Sequence, residues 1–493
     1  MNFIDKLIEV ISPQRAFERQ KFRSALDAQR SYDAGRVDRL GGGWVAVNST
    51  AEQIDAVFRD RLRARARDLE RNNDIVESIV AGIVRNVVGK GFTLQARTAD
   101  EELNTLIENR WKRWRRARNC DITGRSSFGE ILALLMRRMI YDGEILAVKV
   151  YDSAAKVPFK LQLREADDLD TSITAAPNGN VIQGGVELNS YSKPVAYWFY
   201  ERKPDGFSTH KSIRIEAQRV IHLFSKTRPT QVRGISQLAR SMDRMRDTNE
   251  YLEAERVKAR IAACLAVFVE TNAPQNRVGR MATDSSTGQR QDVIEPGMIE
   301  YLKPGESMKI ATPGGINTNA KDFVQLNQRL AGAGAGISYE LASRDYSQTN
   351  YSSARQGLLE DQKTFAMLQD YLIEHFCQEV YTEFLISAVL SGQIPIKDFF
   401  GDKKDEYCEH EWITPGWSWI DPLKEANASG RELELGINTR ARISAAQGRD
   451  WRDDLDQLAA EQEYAKQLGL QLNSKGSDAQ NGKTNSTPDG ETD

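Results

Sequence analysis

Apolar residues along this chain change their period several times, and each change marks an element. Ile75, Ile79, Ile83 and Val87 recur every fourth residue, which predicts a helix over 74–88 closed by Gly89-Lys-Gly91. Ser49-Thr50 is a capping pair for a preceding helix over 51–71, and further helices are expected over 100–117 and 127–141. Residues 92–96 alternate like a strand. Residues 145–151, 159–163, 196–200 and 220–224 have strand composition, with Gly, Asn, Pro and Asp clusters between them. Helix resumes over 236–266 with Leu238, Met242, Met245 and Leu252 as an apolar seam. Acid-base neighbours three apart (Asp243 with Arg246, Glu253 with Arg256, Glu255 with Lys258) suit an exposed helix. Residues 267–318 turn to Gly, Pro, Thr and Asn with short strands such as 298–302. A helix over 322–331 follows and runs into Gly332-Ala-Gly-Ala-Gly336, which reads as a hinge or helix breaker. The longest pattern covers 353–391, with Leu368, Leu372, Phe376, Val380 and Phe384 four apart. As a helix it reaches about 58 Å.

The pattern describes an α+β chain, and composition narrows its class. Of 493 residues, 40% are hydrophobic and 28% charged, with 67 basic against 70 acidic side chains and a net charge of -3. Tight nucleic-acid binding draws on displaced counterions and favours a basic protein, so this balance argues against a tight DNA binder. It leaves room for a surface past which DNA slides. Cys120, Cys264, Cys377 and Cys408 lie far apart and form no CxxC, as expected of unpaired thiols in a reducing cytosol. The longest uncharged apolar run, 261–269, falls far short of the ~20 residues of a membrane span. The N-terminal 50 residues read as a partly flexible arm, and 473–493 as a disordered tail.

Candidate chemistry is sparse. Gly89-Lys90 lacks Walker spacing, because Gly91 follows the lysine and Gly82 stands at the wrong distance. Gly332–Gly336 follows a helix where a dinucleotide turn would follow a strand. Cys408 and His410 have no second Cys/His pair nearby and read as a surface turn, so no metal site, catalytic residue or cofactor is assigned. His210, His222 and His375 have no triad company. The acidic run Glu165-Ala-Asp-Asp-Leu-Asp170 is the nearest candidate for metal-dependent chemistry and reads as a solvated turn. Two basic stretches, Arg59 to Arg67 and Arg110 to Arg118, could contact phosphates. Their simpler reading is a helix with a solvated or partner-facing basic side, with Trp111 and Trp114 packed inward.

Several segments, taken in order, resemble the lambda-type phage portal family. Ser31-Tyr-Asp-Ala34, Gly43-Trp44, Arg65-Ala-Arg-Asp-Leu-Glu-Arg-Asn-Asn73 and Val87-Val-Gly89 match its opening. Cys120-Asp121 with Gly124, Asp142-Gly-Glu144, Arg228-Pro and Gln231-Val-Arg-Gly234 follow. Ile294-Glu-Pro-Gly297 and Leu302-Lys-Pro-Gly-Glu306 fall in the middle. Tyr339-Glu-Leu341, Asp345-Tyr-Ser and Asn350-Tyr-Ser-Ser-Ala-Arg355 are the most specific. Trp419-Ile-Asp-Pro422, Lys424-Glu425 and Gly448-Arg-Asp450 close a match running from about 30 to 470. One departure is the stretch before Gly336, richer in glycine than the family's run of small residues.

The resemblance implies a portal fold and a homo-oligomeric, dodecameric ring at the capsid vertex, a virion component assembled in the host cytoplasm. The ring would pass double-stranded DNA during packaging and ejection, and meet the major capsid protein, the terminase large subunit and head-tail connector proteins, with no membrane. By resemblance, residues 1–50 are the arm and 51–235 the wing. Residues 236–266 and 319–338 are the stem helices, and 267–318 the clip. Residues 339–352 form the tunnel loop, 353–392 a long wing helix and 393–472 the crown. Arg344, Tyr346, Gln348 and Asn350 are then candidate channel residues, and Leu238, Met242, Met245 and Leu252 candidate subunit-interface residues in the stem. A DNA-binding or DNA-processing protein (a packaging nuclease or ATPase using the basic stretches) is the alternative.

Overall fold

The structure, a computed structural model, describes residues 48–202, 208–263, 267–271, 281–283, 290–292, 306–310, 320–417 and 422–470. The arm through residue 47, Cys264, the strand expected at 298–302 and the tail from 471 lie outside the described residues. The chain divides into two units, Met1–Phe58 with Arg228–Gln231, and Arg59–Thr227 with Val232–Asp493. Within the first unit, the Ala51 amide donates to Thr230 Oγ1 at 3.0 Å and Arg228 donates to the Ser49 carbonyl at 2.9 Å.

The core of the second unit is built from helices whose starts are visible in the sequence. Helix α1 (Ala51–Asn72), whose part from Arg59 on belongs to this unit, hands over to α2 (Asp74–Val87) at Asn73. The Asn73 side chain accepts from the Ile75 and Val76 amides at 3.1 and 3.0 Å, satisfying donors that a helix start leaves free. Strand β1 (Thr93–Ala96) leads to α3 (Glu101–Trp114) and α4 (Phe128–Tyr141), the latter opened by a reciprocal cap between Ser127 and Glu130. Ile79, Ile83 and Val87 are buried, as their spacing predicts. Trp111 stands at the centre of the core, its ring 5.1 Å from Phe128, 5.1 Å from Phe384 and 5.4 Å from Trp412. Trp114 stacks on Phe159 at 5.4 Å. Both tryptophans therefore face inward.

The β-rich stretch forms two antiparallel sheets. One has the order β3 (Phe159–Arg164), β2 (Glu144–Tyr151), β8 (Val220–Phe224), and the other runs β4 (Val181–Gln183), β5 (Val186–Leu188), β6 (Pro194–Arg202), β7 (Ser208–Glu216). Expected strands at 145–151, 159–163, 196–200 and 220–224 are all present; β4, β5 and β7 were not expected. β7 is polar at most positions, and its place is set by pairing with β6 rather than by its own pattern. β9 (Val267–Thr271) pairs with β12 (Glu306–Ile310), and β10 (Met281–Thr283) with β11 (Arg290–Asp292).

Three expectations about helices need correction. The helix expected over 236–266 breaks: Gln237–Arg240 forms a 3-10 turn, the Ser241 amide bonds the Leu238 carbonyl at 2.8 Å, and only then does α5 (Met242–Ala263) begin. The glycine run does not break its helix. α6 runs Ala320–Ala335 through Gly332 and Gly334, and only Gly336, at φ +74°, ends it. The glycines stay helical because the chain packs tightly there. A Cβ on Gly334 would lie 2.7 Å from Ser241 Oγ, and one on Gly332 would lie 3.0 Å from the Ile337 carbonyl oxygen. The short helix α7 (Tyr339–Ser343) follows. Third, the long helix is continuous from α8 (Tyr351–Leu372) through α9 (Gln378–Leu390) but carries a π turn at Ile373–Cys377. Its predicted stripe is buried at Leu372, Phe376, Val380 and Phe384, with Leu368 packed against it. The Tyr371 hydroxyl donates to the Phe224 carbonyl at 2.8 Å and accepts from the Phe224 amide at 3.1 Å, tying the helix to the edge of β8.

Part of the stretch from 393 joins the core. β13 (His410–Ile413) pairs antiparallel with β1, and Ile394, Phe399 and Trp412 are buried in the core cluster described above or beside it. His410 is thus a strand residue against Tyr381 (rings 4.2 Å apart) and not part of a surface turn. Helices α10 (Pro422–Glu434), α11 (Arg440–Ala446) and α12 (Trp451–Gln467) complete the described chain.

Candidate functional site

Loop 344–350 joins α7 to α8 and is braced at both ends. Ser338 caps α7, and its amide and hydroxyl donate to the buried Asp361 carboxylate of α8 at 2.7 and 2.6 Å. Asn350 caps α8 by accepting from the Ser353 amide at 2.9 Å. Between these ends, Thr349 donates to Glu340 at 3.1 Å, and Asp345 accepts from the Ser347 amide at 3.0 Å and from the Tyr339 hydroxyl at 3.2 Å. Hydrogen bonds from Ser347, with help from Tyr339, hold the Asp345 carboxyl below the usual range. The four predicted residues come together on this one loop. Arg344, Tyr346, Gln348 and Asn350 are all exposed, Tyr346 by 58%.

Arg344 has an unusual backbone. It occupies the left-handed region at φ +58°, where glycine is the ordinary choice and any other residue costs roughly 1–2 kcal/mol. Its Nε donates to Ser78 Oγ of α2 at 3.4 Å. A side chain is kept where the backbone would prefer none.

The stem residues divide. Leu238, Met242 and Met245 are buried within this same chain and pack its core. The seam pattern marked an intrachain contact there. Leu252 is 44% exposed. Arg246 pairs with Glu250 at 2.8 Å in place of Asp243, which turns to Arg65 at 3.9 Å, while the Glu253–Arg256 and Glu255–Lys258 pairs form as expected.

The motif residues that sequence reasoning left without a role assemble into one buried knot. Arg233 grips Glu144 with both ends of its guanidinium, Nη2 to Oε1 at 2.6 Å and Nε to Oε2 at 2.8 Å. The Gly234 amide and His222 Nε2 complete the carboxylate at 2.8 and 3.0 Å. Burial pushes the Glu144 carboxyl up, but the Arg233 charge and the His222 and Arg233 hydrogen bonds overcome it and hold it well below the usual range. Burial keeps His222 neutral, its pKa lowered. Gly143, at φ +87°, and Gly234 are needed for contact: a Cβ on Gly143 would fall on the Ile235 carbonyl group, and one on Gly234 on the Gly143 carbonyl. Asp142-Gly-Glu144 and Gln231-Val-Arg-Gly234 are thus two halves of one structural joint.

The first basic stretch and the acidic run, candidates for separate chemistry, neutralise each other. Arg63 reaches Asp167 at 3.0 Å; Arg67 reaches Asp167 at 2.7 Å and Asp142 at 2.8 Å. Asp168 and Asp170 are buried, so residues 165–170 are not the solvated turn expected of them. Among the described residues, no group of three or more His, Cys, Asp or Glu is placed to hold a metal ion. No described helix is long and apolar enough to cross a membrane.

The family model described as phage portal protein, lambda family, matches residues 38–369. The chain belongs to the lambda family of phage portal proteins. Among relatives of this portal protein, a probable portal protein of Halomonas phage phiHAP-1 is 28% identical over 481 residues, covering 94% of this chain and 92% of that one. Portal protein B of Escherichia phage lambda is 23% identical, covering 87% and 89%. The portal protein of Escherichia phage N15 is also 23% identical, covering 87% and 90%. Among solved structures, the neck of an empty gene transfer agent particle is similar at TM-score 0.44 and 13% identity, covering 78% of this chain and 93% of that one. The α+β class expected from the sequence is the one observed, and the chain is a phage virion component.

Proposed function

We propose that copies of this portal protein close into a dodecameric ring whose bore passes double-stranded DNA, with loop 344–350 facing the bore. The observation that supports this most is the loop itself: four polar tips, one base and one acid, projecting from a segment braced at Ser338 and Asn350. Each lasting phosphate contact adds affinity through counterion release, so a lining that lets DNA move carries little net charge. Asp345, held ionised beside Arg344, provides that balance. Arg344, Tyr346, Gln348 and Asn350 make weak, sequence-independent contacts with the passing duplex. The 242–263 and 320–335 helices form the stem, the segment between them the clip that meets the terminase large subunit and later the head-tail connector proteins, and the outer face meets the major capsid protein. The reading as a nuclease or ATPase loses its best acidic candidate, because Asp167 is engaged by Arg63 and Arg67.

Arg344→Gly tests the loop. It relieves the left-handed backbone while removing the charge, so unfolding free energy stays within about 1 kcal/mol of the parent and rings still form. DNA packaged per particle falls. Packaging at the parental level would remove Arg344 from the bore.

A further inference from the structure

The two basic stretches meet opposite fates. Arg63 and Arg67 are spent on Asp142 and Asp167. In the second stretch, Arg110, Arg113, Arg116 and Arg118 stand with Lys156 and Lys160 around a cleft of about 550 Å³. It lies between the C-terminal end of α3 and the turn that joins β2 to β3. One carboxylate, Asp152, faces it and is already paired with Lys160 at 3.0 Å. The four guanidiniums have no hydrogen-bond or ion-pair partner among the described residues, and Arg110 Nε is buried without one. In a chain whose net charge is only -3, this is a concentrated and unanswered positive site.

Its shape selects the occupant. Trp114 reaches the cleft wall but is 2% exposed, its ring stacked on Phe159, and Trp111 is turned into the core, so neither offers an open face to an unstacked base. The site is concave, and Ala154, Ala155 and Val157 supply apolar wall between the cations. A duplex presents its phosphates on convex ridges and has nothing to offer that wall. We propose that the cleft docks an acidic, extended segment of a partner protein. Its carboxylates pair with the guanidiniums two hydrogen bonds at a time, and an apolar side chain rests against Val157. None of the lining residues belongs to loop 344–350, so this docking is separable from DNA passage.

Fluorescence anisotropy on the full-length protein tests it. The probes are a labelled peptide of about twelve residues alternating Glu and Asp with Leu, its Gln/Asn analogue, and a duplex DNA of matched charge. The acidic peptide should bind and its amide analogue should not. Arg113→Glu/Arg116→Glu should weaken binding about tenfold or more, and Arg61→Glu, an exposed arginine outside the cleft, should leave it unchanged. Arg118→Glu/Lys156→Glu, on exposed side chains, repeats the test should the first variant misfold. Equal peptide binding by parent and cleft variants would overturn the proposal. So would tighter binding of the duplex that the same substitutions abolish, which would assign the cleft to nucleic acid.

Discussion

Arg233 lies 89 residues from Glu144 in the chain, yet the two form the most deeply buried ion pair described here. A buried pair is weak evidence of net stabilisation, but removing one partner strands the other charge. Arg233→Ala should therefore lower unfolding free energy by about 3–5 kcal/mol in chemical denaturation. Arg233→Met with Glu144→Gln should cost less than the single change. A loss under about 1 kcal/mol for Arg233→Ala would show that the knot is not the joint described. The pH dependence follows from the same residues. Glu144 is held ionised, so its contribution is present above about pH 4.3 and is lost as pH falls toward its lowered folded value. His222 and His410 are held neutral by burial, so protonation of the unfolded chain erodes stability below about pH 6.5. The melting temperature should drop from pH 7.5 to pH 5.5, and His222→Gln/His410→Gln should flatten that drop; an unchanged slope would contradict it. Sequence alone named both halves of the knot through the family resemblance, yet nothing in either stretch says that they meet.

At the scale of elements, helices with an amphipathic stripe and a capping residue were legible nearly to the residue, as at Asn73 and Ser127. What stayed illegible depends on partners. The polar β7 is a strand because β6 pairs with it. The π turn at 373–377 adds a residue to the helix without changing the apolar stripe that announced it. Gly332 and Gly334 look like breakers in isolation and are contact residues in place, since α7 and Ser241 approach their backbones. Gly332→Val puts a branched side chain against the Ile337 carbonyl oxygen and Ala342 Cβ, 3.0 and 3.3 Å from where its Cβ would sit. It should cost about 1–3 kcal/mol by thermal unfolding even though valine is the better helix former. A neutral or stabilising result would restore the hinge reading.

For the whole molecule, charge balance is built into the fold. Near-equal numbers of acids and bases reflect internal neutralisation, as between the 59–67 and 165–170 stretches, and not an absence of charge. Loop 344–350, singled out through resemblance, is exposed and braced. Of the four apolar residues in the seam over 236–266, Leu238, Met242 and Met245 serve this chain's own core and Leu252 is exposed. The proposed ring requires identical copies to enclose a bore wide enough for a duplex. Negative-stain imaging of the purified full-length protein, at concentrations that favour self-association, tests it most directly. Closed rings of twelve with an open centre are expected; solid monomers or dimers and no hole would overturn the ring.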